Sequence, residues 1–169
     1  MTKQHSHSTS PFEPKSFPIT ILCDHLTSPA NIGALFRIAD AFGVSSIILT
    51  TSDINFTSNR LLLTARGTLS KVNYKLTDDL LAEIRLLKQR EYLILALEIS
   101  NDSIPLHSLS IQGCKRIALL IGNERHGISD TALELADQII HIPMYGQNSS
   151  MNVIQATGIA LYSLTNDLN

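Results

Sequence analysis

Tryptophan is absent from this 169-residue sequence, and the aromatic residues together make up only 5% of it. Hydrophobic residues nevertheless reach 44%, so a buried core has to be built mainly from Leu, Ile, Val and Ala. A chain of this length is the size of one domain. An aliphatic core of this kind is typical of an α/β fold, in which central strands are rich in Leu, Ile and Val.

Long hydrophobic runs are also missing. No stretch approaches the roughly 20 apolar residues that a membrane-spanning helix requires, and the N-terminal residues are polar, unlike a secretory signal. The only cysteines, Cys23 and Cys114, are far apart, each lies next to an apolar run, and neither belongs to a CxxC pair. We therefore expect a cytoplasmic protein with two free thiols and no cysteine-bound metal.

An excess of positive charge is lacking as well, because the formal net charge is −2. This disfavours binding of nucleic acid by bulk electrostatics alone. Between Asp53 and Asp78, however, the sequence has no acidic residue, and this segment carries Phe56, Tyr74, Arg60, Arg66, Lys71 and Lys75. It is either a patch that binds RNA phosphates or an ordinary solvated face, and the charge pattern favours neither.

The chain divides into an N-terminal arm and one domain. Residues 1–17 are rich in Ser, Pro and His without hydrophobic periodicity, which predicts a flexible arm before a domain spanning residues 18–169. In that domain, short apolar runs alternate with amphipathic stretches, which indicates a mainly parallel sheet with helices on both faces. The runs 92–97 and 117–121 predict central buried strands, and residues 51–71 are expected to form a loop.

The first helix follows from local signals. Ser28 precedes Pro29, which predicts an N-cap followed by a proline in the first turn. Apolar residues then recur at helical spacing and predict a buried stripe of Ile32, Leu35, Phe36, Ala39 and Phe42. Arg37 falls nearly opposite this stripe, with Gly33 and Asp40. We expect it to be solvated or paired with Asp40, unless this face meets a partner chain or a substrate.

No GxGxxG follows the first strand, so the fingerprint of a Rossmann-type cofactor site is absent. Three other motifs stand at strand-to-loop transitions, and they read Asn31-x-Gly33-x-x-x-Arg37, Gly122-x-Glu124-x-x-Gly127 and Ile142-Pro143-Met144-x-Gly146-x-x-x-Ser150-x-Asn152. In this order they closely resemble the signature motifs of the SpoU (TrmH-like) branch of the SPOUT methyltransferases. The resemblance extends from about Ile19 to the C-terminus.

This resemblance implies a fold and a cofactor. The fold would be α/β with a deep trefoil knot in its C-terminal part, formed by residues 117–121, 122–127, 139–142 and the last helix. Such knots are rare exceptions to the usual unknotted topology. The cofactor would be S-adenosylmethionine (AdoMet), bound in the knotted loops largely through main-chain groups. Its contacts are assigned to Leu97, Gly122, Ile142, Met144 and Met151, which combine apolar side chains with an approachable backbone.

The resemblance also implies methyl transfer to a ribose 2′-hydroxyl of tRNA or rRNA. It assigns catalysis to Arg37, either as the base or as the group that holds the RNA phosphate and polarises the hydroxyl. Asn31, Glu124, Ser150 and Asn152 would form the hydrogen-bond network around the arginine and the methyl donor. The alternative for Ser150 and Asn152 is simple N-capping of the last helix, for which Ser149 is an equal candidate.

Proteins of this family are expected to be homodimers in which both chains contribute to each active site, and the outward position of Arg37 agrees with this. No metal is implied. The last motif usually has the sequence SLNVS, and this chain differs from it at two positions. Met151 stands in place of the leucine, and Ile154 stands in place of the second serine and so removes a hydroxyl from that helix. A non-catalytic knotted protein that only binds RNA is the alternative, which the intact polar motif residues disfavour.

Overall fold

The computed structural model of the chain describes residues 12–50 and 54–169. Its strands are β1 (Phe17–Cys23), β2 (Val44–Thr50), β3 (Tyr74–Thr77), β4 (Leu93–Leu97), β5 (Ile104–Pro105), β6 (Ile117–Ile121) and β7 (Gln138–His141). Its helices are α1 (Pro29–Ala41), α2 (Asn59–Ala65), α3 (Leu80–Gln89), α4 (Asp130–Leu133) and α5 (Val153–Asp167), with short 3₁₀ turns at Thr68–Ser70 and Leu106–Ser108. The strands form one parallel sheet in the order β3-β2-β1-β6-β4-β7-β5.

Helices cover both faces of this sheet, which confirms the predicted fold class. On one face, Ile21 of β1 shares a core cluster with Phe36 of α1 and Leu161 of α5. On the other face, Leu22 shares a second cluster with Ile84 of α3. Neighbouring residues of a strand point to opposite faces, so a strand between two helical layers has to be apolar throughout. This explains why β6 is buried along its whole length.

The middle of the sheet determines where the motifs meet. The carboxyl ends of β1, β6, β4 and β7 lie side by side there, because these four strands are neighbours in the sheet. The segments that follow them, 24–28, 122–129, 98–103 and 142–152, therefore lie at one edge. Ligands of open α/β sheets bind at this carboxyl edge.

The segment between β2 and β3 was predicted wrongly as a loop, because it contains α2 and a 3₁₀ turn. Seven residues are too few to show helical periodicity, and a helix this short is stable only through packing. Its residues Leu61 and Ala65 are buried, and α2 packs against α1.

The position of Gly33 on the outer face of α1 was also predicted wrongly. Gly33 is buried, and a Cβ atom there would collide with the Thr64 hydroxyl and the Leu61 carbonyl of α2. The α2 helix therefore covers part of the face that the helical pattern left to solvent. Arg37, on the same face, remains exposed.

Two element boundaries differ from the sequence prediction. Phe17, assigned to the arm, is the first residue of β1, while residues 1–11 of that arm lie outside the described residues. The last helix begins at Val153 rather than near Ser150. Within the described ranges, no helix has both the length and the apolar character needed to cross a membrane.

Both cysteines are free, as predicted. Cys23 is fully buried at the end of β1, whereas Cys114 is half-buried. Burial raises the pKa of the Cys23 thiol far above its ordinary value, and the negative charges of Glu124 and Asp24 raise it further. Cys23 is therefore a structural thiol of the core.

Candidate active site

A cavity of about 350 Å³ lies at the carboxyl edge of the sheet. It is bounded by the segments after β4, β6 and β7 and by the first turns of α1 and α5. Nine of the ten residues predicted for catalysis or cofactor binding line it, namely Asn31, Leu97, Gly122, Glu124, Ile142, Met144, Ser150, Met151 and Asn152. The three motifs are thus brought together in one site, and only Arg37 lies elsewhere.

A chain of hydrogen bonds joins the three motifs at the rim of this cavity. The Asn31 side-chain amide donates to Glu124 Oε1 over 3.0 Å. The Asn152 amide donates to Asn31 Oδ1 over 3.1 Å. Asn31 therefore serves as the central member, because its amide has both a donor and an acceptor and can bind two different partners at once.

The Glu124 carboxylate also holds the segment that leads into α1. Its Oε1 accepts from the Ser28 backbone N–H (2.9 Å), and its Oε2 accepts from the Thr27 backbone N–H (3.3 Å) and the Thr27 hydroxyl (3.2 Å). Partial burial acts to raise the pKa of this carboxyl, but hydrogen bonds from its own backbone, Asn31, Ser28 and Thr27 outweigh burial, and the pKa lies below its ordinary value. Glu124 is therefore a carboxylate that organises the loop, not a proton donor.

Asn152 is the N-cap of α5. Its Oδ1 accepts from the backbone N–H groups of Ile154 (2.8 Å) and Gln155 (3.4 Å), so the capping alternative is correct for Asn152 in addition to its bond with Asn31. Neither Ser149 nor Ser150 caps the helix. Ser150 lines the cavity, and the described residues offer it no hydrogen bond.

The loop after β6 folds back on itself, and this explains its glycines. Asn123 and Gly127 exchange backbone hydrogen bonds of 2.9 and 3.0 Å, and Gly127 has a φ of +67°, which favours glycine. A Cβ atom on Gly122 would collide with the backbone of Gly127 and Ile128. Gly122 is thus needed for the return of the loop, besides lining the cavity.

Asn123 and Glu98 are among the polar residues of the site that the sequence analysis missed. Asn123 donates to the His25 carbonyl over 2.6 Å and accepts from the backbone N–H groups of Arg125 and His126. Glu98, directly after β4, lines the cavity and accepts from the Ile128 backbone N–H over 3.1 Å. The available signal was their position one or two residues after predicted central strands, since such positions reach the carboxyl edge.

Arg37 does not line the cavity. It is exposed on α1 and lies in a shallow depression with Leu63, Thr64 and Arg66 of the α2 region. Among the described residues, no acid forms an ion pair with it, so of the two alternatives for this exposed side chain, solvation is correct and pairing with Asp40 is not. One chain by itself therefore presents the guanidinium on a surface separate from the cavity.

The four basic residues of the acid-free segment lie in different surroundings. Arg60, Arg66, Lys71 and Lys75 are all exposed, but Lys75 forms a 2.5 Å ion pair with Glu83 of α3. Lys71 lies near the amino ends of the strands, and Arg66 lies beside Arg37. The pairing of Lys75 could not be read from the sequence, because Glu83 stands outside the acid-free segment.

The cavity fits AdoMet in size and in chemistry. Ligand sites for small molecules measure about 300–1,000 Å³ and combine apolar walls with a few polar groups. Here, Leu97 and Ile142 pack against the core and present apolar surface, while Glu98, Asn31 and Glu124 supply polar groups. In the part of the chain that the structure describes, no cluster of three or more metal-ligating side chains occurs.

Comparison with known proteins agrees with this geometry. The model of the SpoU rRNA Methylase family matches residues 18–162. The 23S rRNA (guanosine-2′-O-)-methyltransferase RlmB of Escherichia coli K12 is 32% identical over 148 residues, which are 86% of this chain and 58% of the relative. An uncharacterized tRNA/rRNA methyltransferase of Borreliella burgdorferi is 29% identical over 99% of this chain and 72% of the relative. The chain thus spans little more than half of the length of RlmB.

Solved structures agree as well. The TrmH/SpoU tRNA modifying enzyme of A. aeolicus superposes with a TM-score of 0.81 at 28% identity, covering 92% of this chain and 77% of that one. The AdoMet-bound rRNA methyltransferase of Sinorhizobium meliloti gives a TM-score of 0.81 at 25% identity, covering 94% of this chain and 59% of that one. The chain therefore belongs to the SpoU rRNA methylase family of RNA methyltransferases, whose methyl donor is AdoMet.

Proposed function

We propose that this chain transfers a methyl group from AdoMet to a ribose 2′-hydroxyl of tRNA or rRNA. The observation that carries the proposal is the hydrogen-bonded chain Glu124–Asn31–Asn152, which joins the three motifs at the rim of one cavity. The relatives named for 23S rRNA and tRNA modification support the substrate class.

The cavity residues would hold the methyl donor, which supplies a methyl group bonded to a positively charged sulfur. Leu97, Ile142, Met144 and Met151 provide apolar contacts, and Gly122 lets the loop after β6 return close to the site. The hydrogen-bonded amides of Asn31 and Asn152 fix the first turns of α1 and α5 relative to each other. A site ordered in this way holds the reacting groups in place beforehand, so that no free energy is spent on ordering them during the reaction.

Arg37 would act on the RNA. A guanidinium stays protonated in proteins, and its planar donors match a phosphate, so we favour a role in holding the RNA phosphate and polarising the 2′-hydroxyl over a role as base. Because Arg37 lies outside the cavity of its own chain, the proposal includes a homodimer in which Arg37 of the partner subunit completes each site.

Three further expectations belong to this proposal. The C-terminal segment, including β6, β7 and α5, would form the trefoil knot of the family, and the protein would act in the cytoplasm without a metal. Arg60, Arg66 and Lys71 would contribute RNA contacts through their exposed charges, whereas Lys75 would contribute less because Glu83 already neutralises it.

Substitution of Arg37 tests the proposed reaction. We expect Arg37→Ala to lower transfer of a labelled methyl group from AdoMet to RNA by at least about 100-fold, as is usual when a group that acts on the transition state is removed. AdoMet binding, measured by calorimetry, should be retained. The matched control is Arg85→Ala, since Arg85 is also an exposed helical arginine but lies on α3.

Mapping of 2′-O-methylation in total RNA, with and without the protein, would identify the modified nucleotide. Full activity of Arg37→Ala would contradict the role of Arg37. Absence of AdoMet binding to the unmodified chain would contradict methyl transfer altogether and favour the RNA-binding alternative.

A further inference from the structure

Glu98 occupies a distinctive position in the cavity. It follows the last residue of β4, and its backbone N–H still donates to the Ile140 carbonyl of β7 over 3.0 Å, so its placement is governed by the sheet. The preceding Leu97 packs against the core cluster of α1 and α5. Side chains alternate along a strand, so Glu98 is directed to the opposite side, where Gly127 lies.

The Glu98 carboxylate is only partly satisfied by the protein. Its Oε1 accepts from the Ile99 backbone N–H over 2.9 Å, and its Oε2 accepts from the Ile128 backbone N–H over 3.1 Å. A carboxylate offers about four acceptor sites, so each oxygen retains one. No ion pair to Glu98 exists among the residues that the structure describes, although the side chain is half-buried.

The missing side chain of Gly127 leaves this carboxylate uncovered. A Cβ atom on Gly127 would come within 2.5 Å of Glu98 Oε2, and both residues line the cavity. A half-buried charge without a cation is costly unless hydrogen-bond donors complete its solvation. A ligand with two adjacent hydroxyl donors matches the two free acceptor sites of the two oxygens.

We infer that Glu98 binds the ribose diol of the methyl donor, with the 2′- and 3′-hydroxyls of the adenosyl part donating to the two carboxylate oxygens. The inference rests on the proposal that this cavity is the cofactor site. The cavity supports this orientation, because Leu97, Ile142 and Met151 supply the apolar surface that suits the base, and Glu98 is adjacent to it. Glu98 is thus a residue that selects a ribosyl cofactor.

Calorimetric titration with S-adenosylhomocysteine and with its 2′-deoxy and 3′-deoxy analogues tests the inference. The unmodified protein should bind each deoxy analogue roughly 10- to 100-fold more weakly, because each lacks one hydrogen bond to a charged group. The Glu98→Gln variant should bind S-adenosylhomocysteine more weakly by a similar factor. One carboxylate oxygen of Glu98 is replaced by an amide nitrogen in this variant. It should therefore bind S-adenosylhomocysteine no better than the analogue that lacks the hydroxyl facing that atom. Glu98→Ala should lose discrimination against both analogues.

The control is Asp102→Asn, since Asp102 is an exposed acid of the same segment that does not line the cavity, and it should keep the full discrimination. If Glu98 only shaped the loop at Ile128, its substitution would lower the affinity for all three ligands by the same factor. The deoxy analogues would then still bind more weakly than S-adenosylhomocysteine, by the same ratio as in the unmodified protein. That result, or equal binding of the three ligands by the unmodified protein, overturns the inference while methyl transfer stands. If S-adenosylhomocysteine does not bind at all, the proposed function fails as well.

Discussion

At the scale of single residues, the Glu124 carboxylate has the widest influence on the site. It accepts four hydrogen bonds from three residues at the start of α1. The sequence motif identified Glu124 and its partner Asn31. It did not identify Thr27 and Ser28, because their bonds use backbone N–H groups and a hydroxyl that many residues in a loop possess.

The lowered pKa of Glu124 predicts a pH dependence of stability. The pKa of Glu124 is lower in the folded than in the unfolded state. The stabilisation from its hydrogen bonds is therefore complete above the ordinary carboxyl pKa of about 4.5 and is lost as pH falls through the lower folded-state pKa. Glu124→Gln removes this titration. The melting temperature of the unmodified protein should therefore fall more steeply on acidification than that of the variant.

Thermal unfolding followed by circular dichroism over the acidic range would measure this difference. Glu134→Gln serves as the control, since Glu134 is an exposed acid for which the described residues show no side-chain hydrogen bond. Parallel curves for the unmodified protein and Glu124→Gln would mean that the hydrogen bonds of Glu124 do not stabilise the fold.

At the scale of elements, the contact between α1 and α2 decides what surrounds Arg37. The helical pattern of α1 was correct for the buried residues Ile32, Leu35, Phe36 and Ala39. It failed for Gly33, because a single helix contains no information about a second helix that packs on its polar side. Gly33 is small enough to admit α2, and residues of both helices line the depression beside Arg37.

Substitution of the two helical glycines should have opposite effects on stability. Gly33→Ala should destabilise the protein by about 1–2 kcal/mol, because the collision with the Leu61 carbonyl outweighs the better helix propensity of alanine. Gly158→Ala in α5 should stabilise it by about 0.5–1 kcal/mol, because its Cβ atom would meet only Ile38 at an ordinary 3.5 Å. Urea unfolding measures both changes, and stabilisation by Gly33→Ala would contradict the tight packing of α2.

At the scale of the whole molecule, Arg37 lies on a surface separate from the cavity, and one large apolar side chain is exposed beside it. Leu63 of α2 is 75% exposed beside the depression, and Tyr162 of α5 is 63% exposed. The cavity carries the predicted binding residues but lacks the arginine. The cavity residues and Arg37 thus lie on two separate surfaces of one chain. This separation is the structural reason for proposing that two chains build each site.

Complementation between two inactive variants distinguishes a shared site from a site within one chain. Co-expression of Arg37→Ala with Asn152→Ala should restore roughly a quarter of the full methyl-transfer activity, because half of the dimers are mixed and each has one intact site. The single variants should be almost inactive, and light scattering should give the mass of a dimer. Inactive mixed dimers would mean that Arg37 acts within its own chain.

The sequence by itself determined the α/β class, the central buried strands, the first helix with its N-cap and the residues of the three motifs. Each of these depends on local periodicity or on residue identity, which the chain carries in linear order. Tertiary structure alone decided that Asn31, Glu124 and Asn152 form one hydrogen-bonded chain, and that α2 covers Gly33. It also decided that Glu98 enters the cavity, that Glu83 neutralises Lys75, and that Arg37 stands apart. These features depend on distances between residues far apart in sequence, which only packing determines.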